Sequence, residues 1–251
     1  MSEVTRFPHG APSWLELTTV DVAGAVDFYS GLFGWAAQPS QWEPGRHVFA
    51  MHDLPICGVQ EGHGEPIWTT YLAVHSIAET TAAASVAGGE LLTGPEVIPG
   101  AGTIALIRDP AGARVGMWEA GEQVGTRLVN EAGAPAWHEL ASRDPQSAGA
   151  FYQKVFGWVA QPVAELGADY MMWQVEGTPV CGMVAMDEAW DASTPSHWMP
   201  YFATLDTDAT AARAVELGGH AEGSPADSPH GRFATLRDPQ GALFSVIRST
   251  T

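Results

Sequence analysis

"PSWLELTTVD" spans Pro12 to Asp21, and "PAWHELASRD" spans Pro135 to Asp144. Both read Pro-x-Trp-x-Glu-Leu and reach Asp five residues after the Glu. The offset from Asp21 to Asp144 is 123 residues, and it also carries Phe28-Tyr29 onto Phe151-Tyr152 and Phe33-Gly34-Trp35 onto Phe156-Gly157-Trp158. With small shifts "PICG" (55–58) falls on "PVCG" (179–182), "WTTYLAV" (68–74) on "WMPYFAT" (198–204), and "RDPAGA" (108–113) on "RDPQGA" (237–242). So many landmarks in one order mark a duplicated domain, and the period is too long for a solenoid. The expected organisation is a first domain over residues 1–122, a polar, Gly-containing join over 123–134, and a second domain over 135–251.

Each copy has the same punctuation. Trp14–Thr19 reads as a strand. Asp21 is an N-cap, and Val22–Phe33 has helical spacing that stops at Gly34. In the second copy Asp144 precedes Pro145, a proline at the first helical position. Strands are expected over His47–Met51, Ile56–Gln60 and Trp68–Val74, with a second helix over Ile77–Ala87. Two last strands, Thr103–Ile107 and Arg114–Glu119, meet at an Asp-Pro-x-Gly turn. The fold class expected is α+β.

Composition narrows the partners. The chain of 251 residues carries a formal charge of −18, which opposes nucleic acid and anionic membrane surfaces. Two cysteines, Cys57 and Cys181, are too few for a disulfide framework. No apolar run approaches membrane-spanning length, so a soluble cytoplasmic protein, monomer or homodimer, is expected. Ten Trp, nine Phe and five Tyr supply aromatic surface.

The strand–Asp–helix pattern ending "FYSGLFGW" (28–35) or "FYQKVFGW" (151–158), followed by Asp-Pro-x-Gly before a last strand, resembles the vicinal oxygen chelate superfamily. That group includes glyoxalase I, extradiol dioxygenases, fosfomycin-resistance enzymes and bleomycin-binding proteins. The tandem arrangement is similar to the actinobacterial type described as glyoxalase-like or hydroxylase. The resemblance implies four βαβββ units in two glyoxalase-like domains, each a cupped mixed sheet around one pocket. It also implies three metal-ligand positions per pocket. Here those positions hold Trp14, Thr69 or Thr70, and Gly116 in the first copy, and Trp137, Met199 or Pro200, and Ser245 in the second. None is a His or a carboxylate, and a catalytic metal takes about three protein ligands. The expectation is therefore no metal and no cofactor.

Residues two apart in a strand share a face. Glu16 accompanies Trp14, and Glu139 accompanies Trp137, as candidate acid–base groups. A carboxylate beside indole rings is desolvated and its pKa rises toward neutrality, where proton transfer is effective. The plainer reading is a structural acceptor of N–H bonds. Candidate ligand-binding residues are Trp14, Trp68, Tyr71, Arg114 and Trp118 in the first copy, and Trp137, Trp198 and Tyr201 in the second. Ordinary core is the competing reading for the aromatic residues. Cys57 and Cys181 read as small buried hydrophobes. Arg108 and Arg237 read as braces of the Asp-Pro turns, Glu119 as a surface charge, and His138 as facing the helix side.

The functional expectation is a metal-independent protein that binds a hydrophobic or aromatic metabolite, of secondary-metabolite binding or resistance type. The alternative is a metal-free isomerase, lyase or cyclase of a carbonyl or polyketide-like intermediate, using Glu16 or Glu139. A metal-dependent glyoxalase or dioxygenase ranks third.

Overall fold

The computed structural model describes residues 3–163 and 170–250. The N-terminal half runs β1 (Pro12–Thr19), α1 (Val22–Phe33), β2 (Ala36–Pro39), β3 (Arg46–Met51), β4 (Leu54–Glu61), β5 (Ile67–Ala73), α2 (Ile77–Val86), β6 (Glu90–Ile98), β7 (Gly102–Arg108) and β8 (Arg114–Ala120). The C-terminal half repeats this as β9 (Pro135–Ser142), α3 (Pro145–Phe156), β10 (Val159–Pro162), β11 (Tyr170–Val175), β12 (Thr178–Ala185), β13 (His197–Ala203), α4 (Thr207–Glu216), β14 (His220–Ala221), β15 (Ala226–Ser228), β16 (Gly231–Arg237) and β17 (Leu243–Ser249).

The halves form two mixed sheets. The first has eight strands in the order β2-β3-β4-β1-β5-β8-β7-β6. The second has nine, in the order β10-β11-β12-β9-β13-β17-β16-β14, with β15 also on β16. The chain is an α+β protein of two tandem domains with, β15 apart, the same order of elements and the same strand topology.

The helices end where their sequences say they should. The Asp21 side chain accepts from Gly24 N at 2.9 Å, and Gly34 closes α1 at φ 75°. Asp144 and Gly157 (φ 69°) do the same for α3. Glu119, expected as a surface charge, instead accepts from Ile77 N at 2.7 Å and so caps α2 from the end of β8. The short edge strand β2 and the irregular β6, both mostly exposed, were not among the expected elements; β6 carries register shifts and a proline, which blur the alternation.

The helix-bearing faces of the two sheets meet, and the motif residues link them. Tyr29 of α1 donates to Asp238 in the Asp-Pro turn of the other domain (3.2 Å) and accepts from Trp68 Nε1 (2.9 Å). Tyr152 of α3 donates to Asp109 (3.0 Å) and accepts from Trp198 Nε1 (3.1 Å). Trp35 donates to Gly133 O, and Trp158 to Gly10 O. One buried cluster joins Leu15, Leu17 and Phe28 to Phe202 and Phe244 across the domains, and a second joins Leu72 and Ile107 to Phe151 and Trp173. The join near Leu128 is itself packed: Leu128 is buried, and Thr126 and Arg127 bond to Ser13 and Pro55.

Trp68 and Trp198, expected in the pockets, belong to this core. Tyr71 faces the opposite side of β5 from Trp68, because residues three apart in a strand point to opposite faces. The same holds for Tyr201 and Trp198 on β13. His138 also lies on this side, with Nδ1 3.4 Å from Thr70 Oγ1. Burial takes its pKa down to about 3, so it is neutral.

Candidate functional site

The faces turned away from the helices carry two equivalent sites. In each, the central strand presents Trp and Glu, and the next strand presents Tyr. Trp14 stands opposite Tyr71, and Trp137 opposite Tyr201. Gly58 and Gly182 lie beside the two Glu residues. A Cβ on Gly58 would come within 2.2 Å of Glu16 Oε2, and one on Gly182 within 2.0 Å of the Tyr170 hydroxyl. The repeated Cys-Gly is thus accounted for: cysteine fills the core and glycine leaves room for the site. Both cysteines are fully buried, and burial raises both thiol pKa values.

Site one is filled. The space left among its side chains is about 10 Å³, room for one water at most. Trp14 Nε1 donates to Glu16 Oε2 at 2.8 Å. Arg46 sits in the middle: its Nε is 3.0 Å from Glu16 Oε1, its other nitrogens meet Glu43 (3.0 Å) and Gln60 (2.7 Å). Trp118 and Trp42 close the remainder, Trp42 lying against Gly100. Burial raises the Glu16 pKa to about 7, against the pull of Arg46 and the Trp14 bond. Arg114, the cation expected here, is on the right face but at the exposed start of β8, outside the lining. The operative cation is Arg46, which the expected strand, starting at His47, left out by one residue.

Site two is open. It encloses a cavity of about 740 Å³, within the range of small-molecule pockets. Trp137, Met172, Met199 and Phe233 supply apolar wall. Glu139 lies on its floor and accepts from the Tyr201 hydroxyl at 2.9 Å and from Tyr170. Trp137 Nε1 donates to the Tyr170 hydroxyl at 3.2 Å. Glu139 faces the cavity and is only partly covered, yet burial is the larger influence and raises its pKa, with the two tyrosines opposing. Both tyrosines are themselves pushed up, first by burial and then by the Glu139 charge. His197, Glu222 and Arg237 add polar groups to the lining. Arg237 also holds Glu222 and donates to Gly241 O at 2.9 Å, so it braces its turn as well as lining the cavity.

Strand register explains the difference. Trp173 pairs with Cys181 as Phe49 pairs with Cys57, which places Tyr170 where Arg46 stands. Ile247 pairs with Phe233 as Trp118 pairs with Ile104, so Ile247 replaces an indole. Tyr170 and His197 were not among the sequence candidates. The one-residue slip between the Trp-x-Glu-Leu offset and the Cys-Gly offset was the available signal for Tyr170.

The donor sets do not match a metal centre. Among the described residues no group of three or more His, Cys, Asp or Glu is placed to hold an ion. In site two Glu139 is bonded to two tyrosines and Glu222 to Arg237, with His197 and His230 elsewhere on the lining, and site one ties its carboxylate to Arg46.

The glyoxalase-like domain model matches residues 137–247, the copy with the open site. CFP32 of Mycobacterium tuberculosis, which carries a provisional glyoxylase name, is 37% identical over 99% of this chain and 98% of its own. The chain belongs to the glyoxalase-like proteins of the vicinal oxygen chelate superfamily. The anthracycline biosynthesis protein DnrV of Streptomyces peucetius is 36% identical, covering 97% of this chain and 95% of that one. Among solved structures, the Mn(II)-bound glyoxalase from Novosphingobium aromaticivorans superposes with a TM-score of 0.67 at 14% identity, over 97% of this chain and 85% of that chain. The 2,3-dioxygenase LapB from Pseudomonas sp. KL28 gives 0.65 at 12% identity, over 97% and 94%.

These findings correct the functional expectation. The fold is shared with a Mn(II)-bound glyoxalase and with dioxygenases, and a whole-length relative is named for biosynthesis. A metal-independent binding or resistance protein, with a metal-free isomerase, lyase or cyclase as its alternative, does not follow from them. Among the described residues no helix is long and apolar enough to cross a membrane.

Proposed function

We propose that the second domain is the working site of a secondary-metabolite biosynthetic protein, and that its cavity takes a polycyclic, oxygenated substrate. The observation that carries this reading is the cavity of about 740 Å³ with Tyr170, Glu139 and Tyr201 on its floor. Apolar and aromatic walls bury a ring system by area and stacking. The floor triad then fixes one oxygen of that ring system. A neutral Glu139 donates to a carbonyl oxygen, and an ionised Glu139 accepts from a phenol. Burial favours the neutral form, so the group holds a proton at a pH where an exposed carboxylate has lost it. The name of DnrV, a relative along nearly the whole chain, supports the chemical class. The role of site one in this reading is to stabilise its domain.

The test uses 1,4-dihydroxyanthraquinone (quinizarin) as a probe of the ring system. Titration followed by tryptophan quenching should give binding, weakened about tenfold by Tyr201→Phe, the value of one hydrogen bond in a buried site. Tyr71→Phe in site one should leave the affinity unchanged. No uptake of quinizarin by the unmodified protein would overturn the reading.

A further inference from the structure

The two copies differ most in the connection that leads into β5 and β13. Residues 62–66 join β4 to β5, whereas residues 186–196 join β12 to β13. The longer loop is held down by one side chain. Arg143 donates from Nε and one terminal nitrogen to Thr194 O (both 3.2 Å), from the other to Asp187 O (3.4 Å), and also to Asp191 O. Its backbone N–H donates to Ser196 Oγ at 3.0 Å. The matching position in the first copy is Val20, an exposed apolar residue with no long loop to bind. The long loop and the arginine that fits it occur together, and only in the copy with the open cavity.

The loop reaches the cavity. Trp190 and Thr194 line it. Trp190 packs edge-on over His197, with ring centroids 6.1 Å apart. His197 Nδ1 is 2.9 Å from Pro195 O. A carbonyl only accepts, so Nδ1 carries the proton and Nε2 is left as an acceptor. That Nε2 is enclosed and has no partner, an arrangement that costs free energy unless a ligand completes it.

We infer that residues 187–195 form a substrate cover, latched by Arg143, whose Trp190 and neighbouring His197 select a ligand bearing a further hydroxyl group beneath the cover. The ring system lies beneath the cover. Trp190 stacks on it or moves aside from His197, and the hydroxyl donates to His197 Nε2. Arg143 is a positioning residue: it touches the cover and not the ligand. The inference rests on the reading of site two as the substrate pocket.

The experiment is stopped-flow dissociation of quinizarin from the full chain, alongside thermal unfolding. Arg143→Ala and Trp190→Ala should each speed release about tenfold, since losses of this kind appear mainly in the off-rate. Trp190→Phe should restore slow release. His197→Phe should weaken quinizarin but not anthraquinone, which lacks the hydroxyls. Melting temperatures should stay within about 2 °C, because an exposed latch contributes little to global stability. If quinizarin binds but both alanine variants release it at the wild-type rate, the cover is a surface insertion only and the inference falls while the pocket reading stands. A faster release accompanied by a large drop in melting temperature also overturns it. If the unmodified protein takes up no quinizarin, the pocket reading fails and the inference with it.

Discussion

Sites one and two are built on the same strands, with the same Trp, Glu and Tyr, yet one holds about 10 Å³ of free space and the other about 740 Å³. Two replacements stand at the centre of that difference. Arg46 extends a guanidinium to Glu16 where Tyr170 offers a hydroxyl to Glu139, and Trp118 fills the volume that Ile247 leaves. A carboxylate conserved between the copies therefore does different work in each. Beside an arginine it is a buried ion pair that closes the sheet. Beside two tyrosines and an open cavity it remains available to a ligand. One copy has an open cavity and the other is filled, and Tyr–Asp bonds link the domains: each domain's Asp-Pro turn is held by the other's helix.

The comparison breaks first on stability. At pH 8 Glu16→Ala leaves Arg46 enclosed with less counter-charge, which costs about 3–5 kcal/mol. Glu139→Ala leaves two tyrosine hydroxyls facing open space, where water replaces the lost partner, and costs under about 1 kcal/mol. Urea unfolding of both variants measures the gap, and equal losses would erase the distinction between a structural and an available carboxylate.

Next in size, Tyr29→Phe and Tyr152→Phe should cost about 1–3 kcal/mol each, because each strands a buried indole N–H and one oxygen of a buried aspartate. Here the copies should behave alike. A large loss in only one of them would show that the interdomain bonds are unequal.

A pH effect reads site one. The Glu16 pKa is raised by burial from 4.5 to about 7. The folded state therefore holds its proton more tightly than the unfolded chain. The stability this contributes is full below the ordinary value and is lost as pH rises toward about 7. Melting temperature should fall across that window in the unmodified protein, and Glu16→Gln should flatten the fall. An unchanged slope would mean that Glu16 is not the group responsible.

Most of the fold was legible because its signals are local. Asp21, Gly34, Asp144-Pro145 and the two Asp-Pro-x-Gly turns mark boundaries by their own conformational preferences, and α1 begins and ends where they place it. The repeat extended each reading to the second copy. The site was legible in part. Trp14, Glu16 and Tyr71, and likewise Trp137, Glu139 and Tyr201, share one side of each sheet, as strand alternation implies. Trp68 and Trp198 were misassigned although the same alternation excludes them. Arg46 and Tyr170 escaped notice because their carboxylate partners lie on other strands, and a contact set by register leaves little trace in any one segment; His197 takes its partners from the loop before its strand. The contrast of Trp118 with Ile247 was legible, but whether a pocket is open depends on volumes summed over several strands, so the two volumes emerged only from the assembled structure.

The most direct measurement of the central claim is the number of quinizarin molecules bound per chain by isothermal titration calorimetry, in the unmodified protein and in Ile247→Trp, which places in site two the indole that fills site one. One molecule per chain, lost or severely weakened in Ile247→Trp and unaffected by Trp14→Phe, is the predicted result. Two molecules per chain, or a single one that depends on Trp14 and not on Ile247, would contradict the account.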